Sequence, residues 1–400
     1  MKSILFLDAN ETIIPAILYA KELGYRTITC DNIPSHPGHS FADATYNIST
    51  YDIESLVSLA KKENVCGVVY FSSAHGLYGG SALIEQLHLP GIPGSVEKLF
   101  SDKGSFREFL QDNNLNYPAY KITDTESLDL ESVQYPVIVK PVDSSGGNIG
   151  VVKVNSPEKM QVAMREAIDC SFSHRALIEE FIESDLQING DCLVSNGKVV
   201  LFFTGKHLYA SKTSIIPYAT IFGPDVIDEQ SLHSAKEEIQ QIVSKAGIKN
   251  GIINVELRIN KADHKPYTIE INSRHSGNKI YKLMNVEYGQ SFEHIAVDIA
   301  RGKSLETISS RRNGYYAYCI LYSKQDGVLR QIHIAPELNE NIIERFDFKQ
   351  ENEAVHEFKL LRDRVSLLLL SFKDKKEMED MVYHIENYYH IEFVENGTDI

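Results

Sequence analysis

The run Tyr267-Thr268-Ile269-Glu270-Ile271-Asn272-Ser273-Arg274 follows Asn254-Val255-Glu256-Leu257-Arg258 across a polar turn at 260–266, and this pairing constrains the chain more than any other feature. Both runs show the two-residue period of a half-buried strand, so Glu270 and Asn272 leave the same face. The intervening Asn, Asp, Lys and Pro reverse a chain, and folding about Asp263 sets Glu256 opposite Glu270. Three oxygen-bearing side chains then converge. Such a set suits Mg²⁺, with Mn²⁺ as the alternative, when substrate phosphates complete the shell. A solvated sheet face without an ion gives the same alternation. Directly opposed carboxylates are unfavourable there unless a cation or solvent relieves them.

Four hundred residues exceed one ordinary core, so two or three domains are expected. The charge balance, 40 − 55 = −15, argues against a general nucleic-acid or anionic-membrane binder, and any phosphate ligand must meet locally placed cations. The start of the chain is too short and too soon interrupted by Asp8 to read as a signal peptide, and no apolar run has the length of a membrane span. Five scattered cysteines form no CxxC or Cys/His metal spacing, which points to a reducing cytoplasm and no zinc.

The first hundred residues alternate strand and helix. Strands are expected at 4–7, 27–31 and 67–71 and helices at 13–23 and 53–64, a βαβ pattern with a parallel sheet. The turn at 8–12 lacks the glycines of a dinucleotide fold, so NAD binding is not expected. Residues 72–80 read as a loop at a strand's C-terminal end, where open sheets place ligands. A single helix is expected over 96–113, carrying Lys103. Strands follow at 137–141, 151–154 and 176–182, with a helix at 157–168 between the last two. Strands at 192–194 and 199–204 turn at Asn196-Gly197. Lys206-His207 beyond them reads as a solvated strand end. A helix at 228–246 precedes the opening hairpin, and the last ninety or so residues mix a strand at 366–372 with a helix at 375–389. They hold no chemical constellation; packing or a homodimer contact is their expected role.

Lys140 closes an apolar strand just before a loop holding Ser144, Ser145, Gly146 and Gly147. Glycines let backbone N–H groups turn toward phosphate oxygens while an ammonium balances their charge. The loop joins two strands and is no Walker A motif. Taken in order, Asp102-Lys103, Val139-Lys140-Pro141, the Ser/Gly loop, Ile178-Glu179-Glu180-Phe181-Ile182, Val255-Glu256-Leu257 and Ile269-Glu270-Ile271-Asn272-Ser273-Arg274 resemble the ATP-grasp superfamily, which includes biotin carboxylase and D-alanine–D-alanine ligase. The resemblance covers about residues 1 to 310.

It implies an α/β fold: an N-terminal Rossmann-like parallel-sheet domain (1–98), a two-subdomain α+β ATP-grasp domain (99–310, small lid about 115–185, larger part about 186–310) and a small C-terminal α+β domain (311–400). It also implies that Lys103 and Lys140 contact ATP phosphates and that the 144–150 loop closes over them. Glu179 would meet the adenine amino group, with Glu180, Phe181 and Ile182 along the base. Glu256, Glu270 and Asn272 would hold Mg²⁺, and Arg274 would stabilise the transferring phosphoryl group or pair with a substrate carboxylate. Many members place a Glu on the ribose where this chain has Gln187, whose amide also bonds hydroxyls. The implied reaction is carboxylate–amine ligation through an acyl phosphate, with an amino-acid or dipeptide ligase as the first expectation. A purine-pathway or carboxylase-like enzyme, or a non-catalytic nucleotide-binding protein, is the alternative. Specificity is expected in the loop-like segments 75–80, 211–224 and 274–279, with His75, Arg274 and Gly277 as candidate substrate contacts.

Overall fold

A computed structural model describes residues 1–125, 133–144, 148–211, 214–305 and 311–394. The chain forms two compact units, each from three segments: 1–118, 190–204 and 230–311 in one, 119–189, 205–229 and 312–400 in the other. Among the described residues, no helix is long and apolar enough to cross a membrane.

The first unit opens with strands β1 (Ser3–Leu7), β2 (Arg26–Cys30), β3 (Ala44–Tyr46) and β4 (Val65–Val69), which form a parallel sheet in the order β3-β2-β1-β4. All five β1 residues are buried, as a central parallel strand requires, which is why it reads as an unbroken apolar run. The Ile53–Lys62 helix covers the sheet through Leu56, Leu59 and Ala60, and Asp52 caps it by accepting from the Ser55 N–H. Strand order reverses between β1 and β4, the kind of point at which open sheets place ligands beyond the strands' C-terminal ends.

Residues 72–80 are not a loop. From Ala74 they form the first turns of the Ala74–Leu87 helix, whose cap is Ser73 Oγ accepting from Gly76 N at 2.9 Å. Glycine suggests a loop in sequence, yet here it permits close packing. A Cβ at Gly76 would lie 2.9 Å from the Leu7 carbonyl oxygen, and one at Gly79 2.4 Å from that of Thr50. The expected 96–113 helix is two helices, Gly94–Ser101 and Lys103–Asp112. Asp102 breaks them with ψ 102° and caps the second by accepting from Ser105 N at 2.7 Å.

The opening hairpin forms as Gly251–Ile259 and Pro266–Asn272, in antiparallel register with Glu256 opposite Glu270 and Asn254 opposite Asn272. A bulge follows, because Leu257 faces Thr268 and leaves Ile269 without a counterpart. Leu186–Ser195 lies beside Gly251–Ile259 on its other edge.

In the second unit, Tyr120–Thr123, Ala176–Glu180, Val137–Pro141 and Val152–Val154 make an antiparallel sheet in that order, covered by the Met160–Cys170 helix through Met160, Ala163 and Met164. Pro217–Phe222, Tyr315–Leu321, Ser366–Phe372 and Ile342–Asp347 pair successively elsewhere in the unit. Residues 211–224 therefore contain a strand rather than loop alone. His207 is buried against Thr220 rather than solvated. The C-terminal helix is shorter than the expected 375–389: it ends at Val382, and Tyr389–Phe393 is a strand. Its alternating side chains find a partner in Gly327–Ile334, and that pairing outweighs continued helix.

Candidate functional site

Glu256, Glu270 and Asn272 come together on the first unit's hairpin. All three are half-buried, and Asn272 Nδ2 donates to Glu270 Oε1 at 3.0 Å, as residues two apart on one face should allow. Two opposed carboxylates and an amide oxygen suit a hard divalent cation, and burial short of complete leaves room for further ligands. The residues therefore fit Mg²⁺.

Arg107 secures this hairpin and carries no sequence signal. Fully buried on the Lys103–Asp112 helix, it donates from Nη2 to the Ile269 carbonyl at 2.9 Å and from Nη1 to that of Thr268 at 3.4 Å. Those carbonyls belong to the bulge, whose disrupted ladder leaves backbone acceptors to be satisfied. The same helix begins with Lys103, so one element ties a candidate phosphate cation to the candidate metal strand.

Arg274 follows directly. Its Nη1 donates to the His275 carbonyl at 2.7 Å. Burial lowers the guanidinium below its ordinary pKa, while the Glu270 and Asp191 charges act in the opposite sense. Asp191, fully buried on Leu186–Ser195, accepts from His275 Nδ1 at 2.7 Å, from Ser276 N at 3.1 Å and from Asn254 Nδ2 at 2.9 Å. The His275 ring packs against Phe71 at the end of β4, with centroids 4.7 Å apart. Ser273, Arg274 and His275 line a cavity of about 50 Å³ together with Phe71 and Ile252. Gly277 is exposed, and among the described residues nothing lies within 4 Å of where a Cβ would stand. Lys279 reaches back to Glu11 at 3.3 Å, joining this stretch to the turn just past the C-terminal end of β1. His75, exposed in the first turn of its helix, hydrogen-bonds Tyr51 at 3.0 Å.

The second unit holds the remaining candidates. Lys140 and Glu179 lie on neighbouring strands, and Lys140 Nζ is 2.5 Å from Glu179 Oε1 with both side chains buried. The family resemblance puts them at opposite ends of a nucleotide, and with 39 positions between them their mutual contact has no local sequence signal. Glu180 is exposed, its N–H donating to the Ala119 carbonyl, while Ile182 is buried. The Phe181 N–H donates to the Pro136 carbonyl, and Lys153 sits over the Phe181 ring, 3.5 Å from its centroid. Gln187 is buried at the start of its strand. Ser144 stands just past the Val137–Pro141 strand; Ser145, Gly146 and Gly147 lie outside the described residues.

Residues 100–278 match the family model of the ATP-grasp domain. The chain is 26% identical over 278 residues to the carbamoyl phosphate synthase large chain of Neisseria meningitidis serogroup B, covering 66% of this chain and 25% of that one. It therefore spans about a quarter of the synthase chain's length. It is also 26% identical over 316 residues to the formate-dependent phosphoribosylglycinamide formyltransferase of Wolinella succinogenes, covering 77% of this chain and 79% of that one. Among solved structures, L-amino acid ligase from Bacillus licheniformis superimposes with a TM-score of 0.83 at 20% identity, over 99% of both chains.

Proposed function

Because the chain carries an ATP-grasp domain over residues 100–278, we propose that it is an ATP-dependent carboxylate–amine ligase forming an amide or peptide bond, with ATP converted to ADP and phosphate. A carboxylate does not acylate an amine directly, because its oxide does not leave. Transfer of the γ-phosphoryl group to the carboxylate oxygen gives an acyl phosphate and ADP. The amine then attacks the acyl carbon, the C–O bond to phosphate breaks, and the amine proton passes to solvent.

In this reading Lys103 and Lys140 bind the triphosphate and Ser144 begins the loop that covers it. Glu179, Glu180, Phe181 and Ile182 border the base, and Gln187 meets the ribose. Glu256, Glu270 and Asn272 hold Mg²⁺, which when bound neutralises phosphate charge. Arg274 balances the charge that spreads over the transferring group or holds the substrate carboxylate, and fixed cations of this kind need no reorganisation during reaction. His75 and Gly277 border the small-molecule substrates.

The supporting observation is the register that places Glu256 opposite Glu270, with Asn272 on the same face and Arg274 just beyond. ADP release from ATP, measured while amino acids are supplied singly and in pairs, tests it: release that requires both a carboxylate and an amine supports ligation, and binding of ATP without release under every pairing rejects it. A purine-pathway or carboxylase-like acid partner is the second reading, favoured by the alignment along 79% of the formyltransferase. Formate and bicarbonate in the same screen separate the two.

A further inference from the structure

We propose that Asp191 and His275 are positioning residues that present Arg274 to its oxyanion, an inference that rests on the ligase reading above. The connection is continuous. Asp191 sits on a central strand with no exposure, and its carboxylate is fixed from two sides by Asn254 Nδ2 and Ser276 N. Its remaining acceptor capacity takes the His275 Nδ1–H at 2.7 Å. The ring is further held by Phe71 and Tyr281, at centroid distances of 4.7 and 5.9 Å. A backbone whose side chain is held so firmly has a fixed carbonyl, and that carbonyl accepts from Arg274 Nη1 at 2.7 Å.

The consequence lies in the shape of the guanidinium. Its donors form a planar fork, and one edge consists of Nε and Nη2. With Nη1 committed to the His275 carbonyl, that edge is the one left for a two-point contact with a carboxylate or phosphoryl oxygen pair. Nε is buried and has no hydrogen-bond partner among the described residues. Asp191 touches no reacting atom in this scheme. It acts through the His275 ring, then the His275 carbonyl, then Arg274, and the strand carrying Glu256 contributes Asn254 to the same anchor.

Two substitutions separate positioning from general support of the fold. His275→Phe keeps a ring and removes the donor; His275→Asn keeps a donor near the Nδ1 position. His275→Phe should lower the kcat of amine-dependent ADP release by about 10–100-fold, the usual cost of losing a supporting partner around an active site, with the KM for ATP unchanged within about twofold. His275→Asn should recover most of that loss. Crystal structures of the two variants supply a readout independent of turnover: Arg274 should leave the residue 275 carbonyl in the Phe variant and keep it in the Asn variant. If the wild type releases no ADP with any substrate, the ligase reading fails, and the crystal structures still judge the positioning. An Arg274 that stays in place in His275→Phe, or equal activity in both variants, overturns it.

Discussion

Lys140 Nζ lies 2.5 Å from Glu179 Oε1, and the two side chains are 5% and 3% exposed. Two groups that a nucleotide would engage separately thus hold each other in the described structure. Removing one partner takes this contact from the other's charge in a desolvated place, whereas removing both removes the charges together. Lys140→Ala should cost about 3–5 kcal/mol of stability in urea unfolding. The double variant Lys140→Met/Glu179→Gln should regain most of that stability and still bind ATP weakly by calorimetry. Equal stability of single variant and wild type would contradict the coupling.

Glu270 faces Glu256 across the hairpin. Glu270→Gln removes one of two opposed carboxylates, so without a divalent cation its stability should stay within about 1 kcal/mol of the wild type. Mg²⁺-dependent ADP release should fall by at least about a hundredfold, because the charge that balances the phosphates loses a ligand. An undiminished rate at the same Mg²⁺ concentration would remove Glu270 from the metal set.

Two glycines should behave oppositely. A Cβ on Gly79 would stand 2.4 Å from the Thr50 carbonyl oxygen and 2.9 Å from Leu56, whereas one on Gly277 meets nothing within 4 Å among the described residues. Gly79→Ala should destabilise by about 1–3 kcal/mol, the usual cost of overpacking. Gly277→Ala should melt like the wild type, so a changed substrate KM in that variant reports contact with substrate. Loss of stability in Gly277→Ala would show that its surroundings are tighter than described.

Glu238 is buried on the Glu229–Lys245 helix, and its carboxyl is pushed up to about 7, from 4.5, by burial, against the opposing hydrogen bonds from Asn116. Between those values the folded state holds a proton that the unfolded chain has released, so stability falls as pH rises from 4.5 to 7. The contribution is about 1–3 kcal/mol. Chemical denaturation across this window should show a shallower pH slope in Glu238→Gln than in the wild type, and identical slopes would count against the raised value.

The hairpin was legible in the sequence because a two-residue period and a turn centred on Asp263 settle both face and register. The helix at Ala74–Leu87 was not, since its glycines serve contacts with Leu7 and Thr50 that local composition does not reveal. Asp191 and Arg107 were missed for a related reason. Asp191 meets His275 across 84 positions, and Arg107 meets Ile269 across 162. Both are buried polar groups whose identity is explained only by partners that tertiary folding brings near. The Lys140–Glu179 pair was half legible: both residues stood out as nucleotide candidates, but their neighbouring strands were not visible as neighbours.

Activation of a carboxylate by phosphoryl transfer leaves an acyl phosphate that hydroxylamine can trap. With ATP, Mg²⁺ and a panel of carboxylates, hydroxylamine can stand in for the attacking amine. Hydroxamate and ADP should form in equal amounts for at least one acid, and both should be abolished in Glu270→Gln. Formation of AMP and pyrophosphate, or ATP binding with no hydroxamate from any acid, would contradict it.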